Sequence, residues 1–272
     1  MPEKPLRILV FGAHPDDCDT KAGGIAIKYA ALGHEVRFVS VTNGDAGHHE
    51  IGGVELAHRR RAEAEAASAI AGIEYHVMDN HDGELVPSLE NRKKIIRMIR
   101  SYTPNLILCP RPNDYHPDHR YTAILVQDSA YMVTVPNICT DTPALSNNPV
   151  IAYLGDTFQK PTSFAPDVVV DIDDVVDRKL DMLHCHTSHM YEWLPYNAGR
   201  LDQVPASPQD RRKWLEHRRS RFEGTANQYR NLLVKRYGET HGSRVQCAEA
   251  FEGSEYGGRL TEENIPVLFP FF

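Results

Sequence analysis

The chain has 272 residues, a formal net charge of −7, a sequence pI near 6.0, 41% hydrophobic and 25% charged residues. That length can bury a full core without disulfide staples, and the acidic balance gives no support to a nucleic-acid surface, which needs clustered Lys and Arg. The five cysteines include no CxxC pair, and Met1–Arg7 and the short run Ile8–Phe11 supply neither a leader's apolar core nor a membrane span, so a cytoplasmic protein with reduced thiols is expected.

Leu6–Phe11 is a nearly unbroken apolar run ending at Gly12, the pattern of a strand buried on both faces. A helix is predicted from Lys21 to Leu32, closed by Gly33. Glu35–Thr42 alternates and is rich in Val, a second strand. Glu55–Ala71, rich in Ala, Glu and Arg and stopped by Gly72, is predicted as a helix, and Ile73–Met78 as a third strand. Ser88–Tyr102 follows as a helix with a Ser start, ended by Thr103-Pro104. Asn105–Cys109 reads as the fourth strand.

Beyond it, Asp118 to about Val135 is predicted helical, Val150–Leu154 and Val168–Ile172 as strands, and Asp173–His186 as a helix opened by an Asp cap. Trp193–Pro208, rich in Pro, Gly and Asn, reads as a loop, and Gln209–Tyr237 as one long charged helix. The basic runs Arg59–Arg61 and Arg218–Arg221 are flanked by Glu and read as solvated helix faces. Strand and helix alternate through the first half, which implies βαβ units. The expected architecture is α/β: a Rossmann-like, mostly parallel sheet flanked by helices. No internal repeat or boundary is visible, so one domain over residues 1–272 is expected, less regular in its C-terminal half.

In open parallel sheets ligands bind beyond the carboxyl ends of the strands. Two polar clusters fall there: Ala13–Asp19 after the first strand and Pro110–Arg120 after the fourth. The first holds His14, Asp16 and Asp17; the second holds His116, Asp118 and His119. Asp16 or Asp17 alone could simply cap the next helix. Two His-Pro-Asp segments at two strand ends are harder to assign to chance. A catalytic zinc site needs three protein ligands and an open position for water, and these clusters supply enough groups for that and for a general base.

With these residues in view, the chain resembles the LmbE-like or PIG-L family of zinc-dependent N-deacetylases over most of its length. Ala13-His14-Pro15-Asp16-Asp17 matches the family's first motif and His116-Pro117-Asp118-His119 its second. Thr42–Gly47, Arg60 with Glu63, Lys179–Ser188 and Ala248–Phe251 are similar to supporting family segments. The resemblance implies one Zn²⁺, or another divalent metal, held by His14, Asp17 and His119. It implies Asp16 as general base on the metal-activated water and His116, oriented by Asp118, as oxyanion stabiliser or general acid. Arg60 would contact the substrate or steady the carboxylates, and Asp45 would lie against the substrate. His189 stands where the family often has Gln, a departure that bears on substrate rather than on the metal.

The expected activity is removal of an N-acetyl group from an amino sugar or N-acetylglucosaminyl conjugate. The expected partner is a small molecule, with neither nucleic acid nor a membrane span, and a homo-oligomer is compatible with this. Competing readings are a metal-dependent hydrolase of another amide or ester, a non-catalytic sugar-binding homologue, and a dinucleotide-binding oxidoreductase. The last lacks the G-x-G-x-x-G fingerprint, and its two carboxylates would repel a pyrophosphate. Tyr191, Trp193 and Tyr196 are candidates for stacking on a sugar or for ordinary packing. His184 and His186 are two apart on a predicted helix and do not share a face, which argues against a second metal with His189.

Overall fold

The computed structural model describes residues 4–272; Met1–Glu3, part of the Met1–Arg7 segment read above, lie outside the described residues. In chain order the first half runs β1 (Arg7–Gly12), α1 (Asp17–Ala31), β2 (Glu35–Thr42), α2 (Gly53–Ala71), β3 (Glu74–Asn80), α3 (Leu89–Tyr102), β4 (Leu106–Cys109) and α4 (Pro117–Met132). It continues with β5 (Val150–Leu154), β6 (Val168–Asp171), α5 (Val176–Cys185), a π-helical turn (Ser188–Trp193), α6 (Leu194–Asn197) and α7 (Pro208–Trp214). Last come α8 (Arg219–Gln228), α9 (Arg230–Gly242), β7 (Ala248–Gly257) and α10 (Ile265–Leu268).

The strands form one seven-stranded sheet in the order β3-β2-β1-β4-β5-β7-β6. The pairs from β3 across to β5 are parallel, and β7 is antiparallel to both β5 and β6. Alternation along the strands builds a core on each face. Ile8 and Val10 join Leu106 and Leu108 under Ile25 of α1 and Leu180 of α5. Leu9, Phe11 and Ile107 face the other way, onto Ile95 and Ile99 of α3 and Leu125 of α4. The strand order reverses between β1 and β4, which pair from Ile8↔Leu106 to Val10↔Leu108. Their carboxyl ends therefore open side by side at a topological switch point, where such sheets bind ligands.

The first half follows the sequence expectations closely. Ser88 caps α3, its side chain accepting from the Asn91 backbone N–H. One difference matters for the site: α1 begins at Asp17 rather than Lys21.

The second half departs more. α5 starts at Val176 with Val175 in the cap position. Asp173, expected as its cap, instead accepts from the backbone N–H groups of Gln246 and Cys247, tying the end of β6 to the start of β7. The segment read as a loop after Trp193 contains α6 and a 3₁₀ turn at Leu201–Gln203. The single helix expected over 209–237 is broken into α7, a 3₁₀ turn at Leu215–Arg218, α8 and α9, with Tyr229 outside helical geometry. A straight helix of that length would run roughly 43 Å; the breaks let Leu215 and Phe222 join one core while Ala226 and Leu233 join a separate cluster beside β6. Among the described residues, no helix is long and apolar enough to cross a membrane.

Candidate metal centre

The turn from β1 into α1 is pinned by Asp17. Its Oδ2 accepts from the backbone N–H groups of Ala13 (2.9 Å) and His14 (2.8 Å), so the carboxylate cannot rotate away. At the neighbouring strand end Pro117 opens α4 and puts His119 in its first turn. Three atoms meet as a result. His14 Nδ1 lies 3.4 Å from Asp17 Oδ2, His119 Nε2 lies 3.3 Å from the same oxygen, and the two ring nitrogens are 3.2 Å apart. Ligands bound at about 2.0–2.2 Å to a tetrahedral ion stand about 3.3–3.6 Å from one another, so this triangle, at 3.2–3.4 Å, is close to the dimensions of a cation cradle.

The outer nitrogens of both imidazoles face carboxylates, as those of metal-ligating histidines do. His14 Nε2 faces Asp82 Oδ1 at 3.0 Å and Asp118 Oδ2 at 3.4 Å. His119 Nδ1 faces Asp114 Oδ2 at 3.0 Å. Burial alone would push both imidazoles down. For His14 that is outweighed by Asp118, Asp17 and Asp82, which carry it well above its ordinary range. For His119 it is outweighed by Asp17 and Asp114, which bring it to about 9. Burial likewise disfavours charge on Asp17, yet His119 and His14 hold it well below the usual carboxylate range. The cluster thus demands positive charge at its centre, which protons or a divalent cation can supply.

Asp16 occupies the cap position of α1 but makes no capping bond, which removes the simple reading of it as a helix cap. Its Oδ1 accepts from Arg60 Nη2 at 2.6 Å, and its Oδ2 lies 3.3 Å from His189 Nε2. Burial raises this carboxyl, but His189 and Arg60 bring it below its ordinary value. Arg60 is 1% exposed and also reaches the Gly44 carbonyl. Gly44 has φ +71, and a Cβ there would stand 2.6 Å from Arg60 Nη1, so the loop needs glycine on both counts. Of the two roles expected for Arg60, steadying a carboxylate is the one its contacts describe.

Asp45, expected on the substrate, is engaged elsewhere. Its Oδ2 pairs with His81 Nδ1 at 2.5 Å and its Oδ1 accepts from the Asp82 N–H at 3.0 Å, so it shapes the loop that presents Asp82. Asp118 also departs from its expected contact. Its Oδ2 accepts from the Gly83 N–H and faces His14, and it is its backbone N–H that donates to His116 Nδ1 at 3.2 Å. With Nδ1 accepting, a neutral His116 carries its proton on Nε2. Its ring meets His14 edge-on at 4.6 Å between centroids.

His14, Asp16, Asp17, Arg60, Asp82, His116, His119 and His189 line one cavity of about 380 Å³, shared with Tyr115, Trp193, Leu194 and Asn197. The far wall comes from the π-helical turn that carries His189, and such turns recur at functional sites. It is fastened to α2 by Glu63, which accepts from Thr187 Oγ1, the Ser188 N–H and Ser188 Oγ. His184, His186 and His189 face Tyr191, Asp19 and Asp16 respectively, so they share no ion. Trp193 lines the cavity, Tyr196 stacks on His49 at 4.1 Å, and Tyr191 is buried. Lys179 and Glu249, each within a supporting sequence segment, form a buried clamp. Glu249 accepts from Lys179 Nζ (2.5 Å) and from the Gly24 and Ile25 N–H groups of α1.

Sequence reading missed Asp82, Asp114 and the position of His189. Asp82 had a usable signal, because Asn80–Gly83 is a polar run at the carboxyl end of β3. Asp114 lay inside the second cluster.

Residues 9–130 match the family model described as PIG-L, GlcNAc-PI de-N-acetylase. The chain is 32% identical over 205 residues to diacetylchitobiose deacetylase of Thermococcus kodakarensis, covering 70% of this chain and 74% of that protein. It is 24% identical over 203 residues to 4-oxalmesaconate hydratase of Pseudomonas putida, covering 72% and 78%. The fold superposes on N,N'-diacetylchitobiose deacetylase from Pyrococcus horikoshii, complexed with its inhibitor MPG, with a TM-score of 0.70 and 25% identity over 91% of this chain and 83% of that one.

Proposed function

The chain belongs to the PIG-L (LmbE-like) family, and on that premise we propose that it removes the acetyl group from the nitrogen of an amino sugar, with one zinc ion held by His14, Asp17 and His119. The observation that carries this reading is the triangle of those three donor atoms, 3.2–3.4 Å on each side, with Asp16 fixed beside it. The donor set, two imidazoles and a carboxylate, suits zinc, and mixed N/O ligands also accept other divalent ions. When bound, zinc would supply a Lewis acid that acidifies water and polarises the acyl oxygen.

The protein groups divide the remaining work. Asp16, free of any capping bond, takes the proton from the attacking water. The water oxygen bonds to the carbonyl carbon, and the charge that develops on the acyl oxygen needs stabilisation. His116 Nε2–H is suited to that role, and the proton that Asp16 took from the water passes to the nitrogen as the C–N bond breaks, which returns Asp16 to its carboxylate form. Acetate and a free amine result. Arg60 and His189 hold Asp16 in line, while Asp82, Asp118 and Asp114 hold the two histidines. Trp193 offers an apolar face to a sugar ring at the cavity wall.

Support for an N-acetylated sugar comes from the deacetylase relatives, one of them 32% identical. The hydratase relative supplies the reading to test against, since the same water-activating groups could add water to a carbon–carbon double bond. Incubation of the zinc-loaded protein with N-acetylglucosamine and N,N'-diacetylchitobiose should release acetate and free amine in equal amounts. Absence of acetate from both, with hydration of an unsaturated acid in its place, would overturn the deacetylase reading. The same assays separate a hydrolase of another amide or ester and a binder without turnover.

A further inference from the structure

One turn beyond Asp17 on α1, Lys21 lines a second cavity of about 260 Å³ with Arg221 of α8 at its mouth. Most charges in its wall are already paired. Asp156 is held by Arg111 through two contacts of 2.6 and 2.7 Å, and Glu249 by Lys179. Lys21 and Arg221 are different. Lys21 Nζ donates once, to the Gly155 carbonyl at 2.6 Å, and makes no ion pair among the described residues. The Arg221 guanidinium has neither a hydrogen bond nor an ion pair among the described residues. Two cations without a direct ion pair among the described residues therefore share one cavity in a chain of net charge −7. The hydroxyls of Thr20, Ser220 and Thr225 line the same space.

Like charges facing one cavity repel, and the ammonium there is partly stripped of water; burial and then Arg221 bring Lys21 down to about 8, against the more distant pull of Asp17, Asp156 and Asp114. An oxyanion between them reverses both costs, because charge-assisted hydrogen bonds from Lys and Arg are the strong ones. The cavity is separate from the metal centre. Only a gap of about 20 Å³, lined by Asp17, Lys21, Asp114 and His119 among others, lies between them, room for about one water.

We propose that this cavity is an oxyanion site, taking a phosphate, sulfate or carboxylate group between Lys21 and Arg221. The group can come from a free inorganic anion or from the anionic arm of a larger ligand entering at the mouth. The site does not depend on what the metal centre hydrolyses.

The test is calorimetric titration of the metal-loaded protein with inorganic phosphate, for the wild type, Lys21→Gln and Arg221→Gln. Saturable binding by the wild type should weaken about tenfold or more in each variant, the loss expected for one charge-assisted contact. Phosphate held by a metal at the triad would be indifferent to Arg221. Equal affinity in all three proteins, or no saturable binding by the wild type, would overturn the proposal. Arg221 is exposed, so Arg221→Gln carries the test even if Lys21→Gln fails to fold. Titration with glucosamine 6-phosphate tells the two sources apart. Affinity equal to that of inorganic phosphate means a free anion; tighter binding that Arg221→Gln abolishes means the arm of a larger ligand.

Discussion

The cavity has two walls of different origin. One is made by the ends of β1, β3 and β4, and carries His14, Asp16, Asp17, Asp82, His116 and His119 on turns fixed to a parallel sheet. The other is the π-helical turn after α5, which carries His189 and Trp193 and is tied down through Glu63. In the first wall Asp17 is locked by two backbone N–H groups, His119 by Asp114 and Asp16 by Arg60, while His14 Nε2 is buried without a hydrogen bond among the described residues. In the second wall His189 Nδ1 is buried without a partner and Trp193 is only partly buried. Rigid support belongs where atoms must meet to a few tenths of an ångström. A wall with fewer constraints suits the recognition of a substrate. The comparison yields a rule: changes in the strand-end wall should alter metal and chemistry together or chemistry alone, and changes in the helical wall should spare the metal.

The largest effect is expected for the triad. Asp17→Asn and His119→Ala should lose tightly bound metal and reduce turnover by about 10⁴-fold or more, since the stabilisation supplied by the ion goes with it. Elemental analysis beside a turnover assay checks this. Retention of stoichiometric metal by Asp17→Asn would break the assignment of the triangle.

Asp16→Asn comes next and separates two adjacent carboxylates of the same wall. Metal should stay bound while kcat falls about 10²–10⁴-fold, the usual worth of a general base. His116→Ala should behave likewise. If Asp16→Asn loses the metal and Asp17→Asn keeps it, the two carboxylates exchange roles.

Smaller again is the outer shell. Asp114→Asn and Asp82→Asn should weaken metal affinity by about 10–100-fold, as loss of a carboxylate behind a ligating histidine does elsewhere. Asp45→Ala should move in the same direction by less, because Asp45 reaches the metal centre only through the His81–Asp82 loop. Competition against a chelator of known affinity measures all three. A change of substrate preference in Asp45→Ala, with metal affinity unchanged, would restore the substrate contact expected from sequence.

The same division governs what could be read from the sequence. The strand-end wall is written in short segments, because a buried strand must stop and its polar turn follows at once. His14, Asp16, Asp17, His116 and His119 were therefore visible as two clusters, and adjacency of β1 and β4 brought them together. Asp118 was visible too, but its side-chain partner was not, since facing His14 rather than His116 is a matter of rotamer. The helical wall rests on contacts far apart in sequence. Glu63 meets Ser188 across 125 positions, and Asp16 meets His189 across a still longer span of the chain. No local pattern announces a π-helical turn, and the polar stretch after it read as a loop. The broken helix over 208–242 was hidden for a related reason: its composition favours one helix, and packing onto two apolar clusters decides otherwise.

The smallest expected effect tests the boundary between the walls. His189 belongs to the helical wall yet faces Asp16 Oδ2 at 3.3 Å, the oxygen that Arg60 leaves free. Burial brings the His189 imidazole down to about 4, so near neutral pH it is uncharged and can only orient Asp16 through Nε2–H. The 3.3 Å contact, once tightened to a hydrogen bond to the charged carboxylate, would contribute about 1.5 kcal/mol, about tenfold in rate. His189→Ala should therefore lower kcat about tenfold, leaving KM and metal content near those of the wild type. His189→Gln should recover most of that loss, because an amide N–H can replace the ring donor, whereas a purely space-filling role would not favour Gln over Leu. Loss of metal in His189→Ala would show that the helical wall supports the ion as well. Full activity in His189→Ala would show that Arg60 alone positions the base.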